Sequence, residues 1–154
     1  MENDWIAIEH EFVTSWDGIE RFYVFNFFIG TPEWFDLSGI SHAEFEKAGL
    51  SERIHHREFM KPIRALITEM RMKGYDRKLR AGQSLDSFVL SRSRKHGLRS
   101  DQGLLGITLL EEGGMHVEYC PMMGETKIEV HFSEVKLTSG LEQLLDKLVT
   151  HPID

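Results

Sequence analysis

The scarcities in this chain narrow it first. It has one cysteine, Cys120, so no disulfide can close within it and a small cystine-stapled framework is excluded. A lone thiol suits a reducing compartment, and the expected location is cytoplasmic. Long apolar runs are missing: the longest, Phe22 to Ile29, is eight residues and contains Asn26, against about twenty needed to cross a bilayer. No membrane association is expected. The start, Met-Glu-Asn-Asp-Trp, is acidic and lacks a basic stretch followed by an apolar core, so no secretory signal is read there. Internal repeats and low-complexity tracts are absent, and no segment is polar enough to read as disordered.

Motifs of chemistry are equally scarce. There is no Gly-x-Ser-x-Gly elbow, phosphate-binding glycine loop, dinucleotide fingerprint, His-x-x-x-His or Cys-x-x-Cys spacing, and Gly103-Leu-Leu-Gly106 is none of these. No catalytic residue, metal or cofactor is therefore assigned. Cys120 has no sequence-local helix N-terminus to make it a thiolate, and Pro121 follows it at a turn.

What is present is enough for a core. The 154 residues fit a single globular domain, 1–154, able to bury about two thirds of its unfolded surface. Ten Phe and three Trp supply the bulk. The chain's charge is −7, which argues against general nucleic-acid or anionic-membrane binding. It is unevenly spread. Residues 53–99 hold thirteen of the eighteen Lys and Arg against Glu58, Glu69, Asp76 and Asp86, a formal +9 that leaves −16 on the rest.

Two strands are expected over residues 5–15 and 19–29, turned at Asp17-Gly18, with Ile6, Ile8, His10 and Phe12 facing Ile29, Phe27, Phe25 and Tyr23. The other face of that hairpin, with Val24, Phe22 and Phe28, is too apolar to be wholly solvated: either another part of the chain covers it or it meets a second subunit in a homodimer. Glu9 and Asn26 on it suggest a polar pair for binding or acid–base work. Thr31-Pro32-Glu33 suggests a short helical turn, and Ser41 with Glu44 a capped helix ending at Gly49. A longer helix is expected from Ser51 to Gly74, with Phe59, Ile63, Leu66, Ile67 and Met70 on one arc of about 100°. Arg53, Arg57, Lys61, Arg64 and Arg71 lie on another, and Pro62 predicts a kink or a break.

Arg77, Lys78, Arg80 and Gly82 read as a linker. Phe88 to Leu90 read as a short strand leading into a loop with Arg92, Arg94, Lys95, His96, Gly97 and Arg99. From Leu104 the alternation of Ile107 and Leu109, then Met115, Val117 and Tyr119, then Ile128, Val130 and Phe132 predicts three antiparallel strands with turns at Gly113-Gly114 and residues 121–125. Ser139 with Glu142 suggests a capping box for a last helix carrying Leu141, Leu144, Leu145, Leu148 and Val149. The expected class is α+β: an antiparallel sheet of about five or six strands, with amphipathic helices packed on one face.

Two constellations stand out. The basic segment offers Arg57, Lys61, Arg64, Arg71, Arg92, Arg94, Lys95 and Arg99, whose guanidinium and ammonium groups suit a phosphate, a carboxylate or an acidic partner. The plain counter-reading is that these charges are solvated or pair with the acidic remainder. The second is the hairpin of residues 115–132. If Val117 faces Val130, then His116 faces His131 and Glu118 faces Glu129 on the other surface, with Cys120 near Lys127, a donor set for a divalent metal such as zinc. His55-His56 point about 100° apart on a helix and do not share a metal, His10 reads as a core or edge histidine, and Met122-Met123 as an exposed apolar tip. The chain reads as a small, soluble, non-enzymatic binding or interaction protein that uses residues 53–99 for an anionic small molecule or a charged protein partner. The alternative is a metal-assisted or acid–base enzyme on the His116, Glu118, Glu129, His131 surface.

Overall fold

A five-stranded antiparallel meander organises the chain: β1 (Arg80–Ser84), β2 (Ser87–Ser91), β3 (Leu104–Leu109), β4 (Met115–Cys120) and β5 (Ile128–Phe132), in that order across the sheet. Three helices accompany it among the described residues, α1 (Glu2–Ile29), α2 (Leu50–Met72) and α3 (Ser139–Val149). This is a computed structural model that describes residues 2–29, 50–84, 87–94, 101–122 and 125–153, with side chains for all of these but 2–3, 22, 24–29 and 50–60. The class is α+β, as the sequence predicts. No helix among the described residues is long and apolar enough to cross a membrane.

Strict alternation builds the sheet. Leu105, Ile107 and Leu109 of β3 are buried while the residues between them are not, and β4 buries Met115, Val117 and Tyr119 in the same way. Antiparallel register lines these up into rows: Ala81, Leu90, Leu105, Tyr119 and Ile128 in one, Phe88, Ile107, Val117 and Val130 in the next. Burying such rows is worth roughly 1.5–3 kcal/mol per large apolar side chain. The other surface of the sheet is small and polar, with Ser84, Ser87, Thr108, His116 and His131 across one row. Turns at Gly113 (φ 102°) and Gly114 (φ 84°) join β3 to β4 in the left-handed region that glycine enters without strain.

The N-terminal hairpin does not exist; residues 2–29 form one helix. Phe12, Trp16, Ile19 and Tyr23 recur at spacings of four, three and four, the period of a helical stripe, and all four are buried. The expected strand face fails on the same evidence, since Ile6 is 62% exposed and His10 is exposed. Asp17-Gly18 lies on the open side of the helix, where a Cβ on Gly18 would meet nothing within 4 Å. The ground for a homodimer through that hairpin goes with it.

Helix α2 buries Ile63, Leu66, Ile67 and Met70 at 0–1% exposure, the predicted stripe. It runs through Pro62 as one element rather than two, because Pro62 costs one backbone bond while the buried stripe on the far side holds the helix in place. Gly74 (φ 83°) follows it, and a turn of 3-10 helix at Tyr75–Arg77 leads into β1. That strand, Arg80–Ser84, corrects the linker reading: Ala81 and Leu79 are buried, and α1 stands against the strand's edge, where the Ala81 N–H donates to Ser15 Oγ at 2.9 Å. Trp16 Nε1 donates to the Leu79 carbonyl at 2.8 Å, and its ring meets Phe88 edge-on, centroids 5.6 Å apart. Helix α3 buries Leu141, Leu144, Leu145 and Leu148 as predicted, but Thr138 is its cap, one residue before the expected Ser139. All these side chains except Phe12 belong to one core with the sheet.

The turn at Thr31-Pro32-Glu33, the Ser41–Glu44 helix with Gly49, and Lys95, His96, Gly97 and Arg99 lie outside the described residues. So do the side chains of Asn26, Arg53, His55, His56, Arg57 and Phe59.

Candidate functional site

The basic residues divide by what they touch. Arg71 is fully engaged: Nη2 bonds Asp17 at 2.9 Å, Nη1 lies 3.1 Å from Glu20 and Nε bonds Asp76 at 3.1 Å. Burial alone would lower its pKa, but the Asp17 hydrogen bond and the charges of Glu20 and Asp76 turn the shift upward. Arg94 forms a two-pronged pair with Glu11, Nε and Nη2 donating at 2.9 and 2.8 Å, and that bond from Arg94 holds the Glu11 carboxyl below its usual range. Arg77 lies 3.6 Å from Glu9. The acids of α1 thus take up much of the described part of the basic segment, and the anticipated internal pairing is what Arg71, Arg77 and Arg94 do.

Glu9 and Asn26 do not share a pocket. Seventeen residues apart on one helix, they stand about 25 Å apart along its axis.

Lys61 and Arg64 are exposed on α2, where Ala65, Ile67, Thr68 and Glu20 of α1 complete the described lining of a cavity of about 310 Å³. Arg64 has no ion-pair partner among the described residues.

Arg92 differs from all of these. Its guanidinium is partly buried just past β2, where Nε donates to the His151 carbonyl at 3.0 Å and Nη1 to the Lys78 carbonyl at 2.8 Å. Both acceptors are neutral. Burial lowers its pKa, and no carboxylate among the described residues opposes that shift.

Beside Arg92 opens a second cavity, of about 300 Å³, lined also by Gln102, Gly103, Met122 and His151, with Asp101 and Pro152 completing the lining. His151 is fixed there: Tyr119 Oη and His151 Nε2 are 2.6 Å apart, and their rings meet edge-on at 5.9 Å. Burial, with the Glu125 charge adding to it, raises the Tyr119 hydroxyl pKa and keeps it protonated. Gly103 is glycine for a steric reason, because a Cβ there would stand 2.7 Å from the Pro121 carbonyl oxygen and 2.8 Å from the His151 ring. Gln102 Oε1 is buried without a hydrogen-bond partner. Sequence reasoning finds Arg92 but misses Gln102, Gly103, Tyr119 and His151, since they come from β4, the loop before β3 and the chain's end, and share no local spacing.

The hairpin of β4 and β5 has the predicted register: His116 faces His131, Val117 faces Val130, Glu118 faces Glu129 and Tyr119 faces Ile128. Ligand atoms of His116, Glu118 and Glu129 lie within 4.8 Å of one another. Lys127 Nζ sits between the carboxylates, paired with Glu118 and 3.4 Å from Glu129. The His116 and His131 rings meet edge-on with centroids 4.8 Å apart, and His116 Nδ1 is buried without a partner. Cys120, at the end of β4, is pushed up in pKa by burial and then by the Glu118 charge, so it is held as a thiol and is a poor nucleophile.

Compared with known proteins, the chain matches no family model, no curated protein and no solved structure.

Proposed function

We propose that the chain is a small non-enzymatic binding protein for an anionic ligand or the acidic group of a partner, with its site built on Arg92 beside His151. One observation carries this reading: the partly buried Arg92 guanidinium donates to two backbone carbonyls and forms no ion pair among the described residues, whereas Arg71 and Arg94 are already paired with acids. A cation in that position gains most from an incoming anion, because hydrogen bonds to charged groups strengthen where water is excluded. The cavity beside it has room for a small carboxylate or phosphate, and Gln102 and the pinned His151 add polar groups on its wall. Recognition of this kind requires no bond making, and the raised pKa of Cys120 makes that thiol a poor nucleophile. A reducing cytoplasm suits the single thiol. The −7 net charge disfavours nucleic acid as the partner.

The Lys61 and Arg64 cavity supports a second reading of the same class, carried by Arg64, which has no ion-pair partner among the described residues.

Melting curves with inorganic phosphate and short dicarboxylates, at matched ionic strength, separate the two. Ligand binding to the folded state is expected to raise the melting temperature saturably, by a few degrees at about 100 times Kd. Gln102→Met, which leaves Arg92 and its carbonyl contacts in place, is expected to weaken the rise, and Arg92→Met to abolish it. If Lys61→Ala/Arg64→Ala abolishes it instead, the cavity of Lys61 and Arg64 is the site. A response identical to that of an inert salt rejects both.

A further inference from the structure

We propose that the outer surface of the β4–β5 hairpin binds one divalent transition metal ion, with zinc the best match, through His116, Glu118 and Glu129, and that Lys127 competes with the ion for this place. The inference is independent of the Arg92 site, whose residues lie elsewhere.

Three observations converge on it. Register places two imidazoles and two carboxylates on a grid of neighbouring positions, with His116 against His131 and Glu118 against Glu129. Three of the four already bring ligand atoms within 4.8 Å of one another. A tetrahedral zinc with bonds of about 2.0–2.1 Å needs ligand atoms roughly 3.3 Å apart, so the three side chains would draw closer to hold the ion.

The electrostatics already favour a cation. Directly opposed glutamates repel one another, and here Lys127 sits between them, paired with Glu118 and 3.4 Å from Glu129. Lysine contributes one positive charge and no lone pair. A divalent ion would contribute two and would coordinate the imidazole nitrogen together with both carboxylates, where lysine offers only hydrogen bonds.

His116 is available to coordinate. Its Nε2 lies 3.8 Å from Glu129 Oε1, too far for a hydrogen bond, and its Nδ1 is buried with no partner. A ring whose two nitrogens make no hydrogen bond among the described residues is free to turn one lone pair to a metal. His131, edge-on at 4.8 Å, is the neighbour that supplies a fourth donor.

Isothermal titration of the chelator-stripped full chain with zinc tests this. One ion per chain is expected to bind, with affinity reduced at least about tenfold in His116→Ala. Lys127→Met is expected to bind zinc more tightly than the wild type, since it removes the competing cation, a result that adventitious binding by histidines elsewhere would not produce. Glu129→Gln serves as a second ligand variant should His116→Ala fold poorly. Equal affinity in His116→Ala or Glu129→Gln and the wild type, no gain in Lys127→Met, or no saturable uptake by the wild type overturns the proposal.

Discussion

Trp16 carries two interactions that no single replacement preserves. Its ring fills the seam against Phe88, and its indole N–H satisfies the buried Leu79 carbonyl just before β1. Trp16→Phe keeps an aromatic ring and loses the donor, so the expected cost is the unpaired carbonyl plus a small void, about 2–4 kcal/mol. Urea unfolding measures it, and a loss below about 0.5 kcal/mol would show that the hydrogen bond contributes nothing net. The residue also shows why a local reading went astray. Trp16-Asp17-Gly18 resembles the approach to a hairpin turn, yet Trp16 belongs to a stripe with Phe12, Ile19 and Tyr23 whose spacing is helical. Both patterns were present in the letters, and burial of that stripe against the sheet chose between them. Gly103 is the opposite case. Its need to be glycine comes from His151, 48 positions further along, and no neighbouring residue announces it.

Helix α3 was legible from sequence almost to the residue. Four leucines at helical spacing against a shared core leave little choice of element or face. Only the cap moved. Thr138 Oγ1 accepts the Leu141 N–H at 3.2 Å and the Thr138 carbonyl accepts from Glu142, which makes Ser139 the first helical residue. Thr138→Ala is therefore expected to cost about 0.5–2 kcal/mol, and Ser139→Ala to be nearly neutral, by chemical denaturation. The reverse order would restore Ser139 as the cap. Strands β3, β4 and β5 were legible for a similar reason, because their period-two alternation leaves one register that puts Ile107, Val117 and Val130 in a single row against the core. β1 was not. Arg-Ala-Gly-Gln-Ser has no strand pattern of its own, and it is extended because β2 supplies backbone partners on one side and Ser15 of α1 meets its other edge.

Charge acts across the whole molecule. The acidic face of α1, through Glu9, Glu11, Asp17 and Glu20, meets Arg71, Arg77 and Arg94 from three other parts of the chain. Exposed pairs of this kind contribute little each, but they give stability a direction with pH. The folded pKa of Glu11 is lowered, first by the Arg94 hydrogen bond, from 4.5. Its contribution is therefore complete above the unfolded value and lost as pH falls through the folded one. The melting temperature is expected to fall on acidification below pH 4.5, and Glu11→Gln to shrink that fall. An unchanged acid profile in the variant would remove the Glu11–Arg94 pair from the account.

Composition and pattern alone specify a good deal: one thiol and hence no internal disulfide, the α+β class, three strands, the last helix and the β4–β5 register with its polar face. These follow from short-range rules of period, turn chemistry and capping, which need no knowledge of distant neighbours. Long-range packing settled the rest. It made residues 2–29 a helix, gave β1 its place, and set Arg71 and Arg94 against acids while placing Arg92, partly buried, against the backbone carbonyls of His151 and Lys78. Sequence counts charges but does not say which of them meet, because that depends on which surfaces the core brings together.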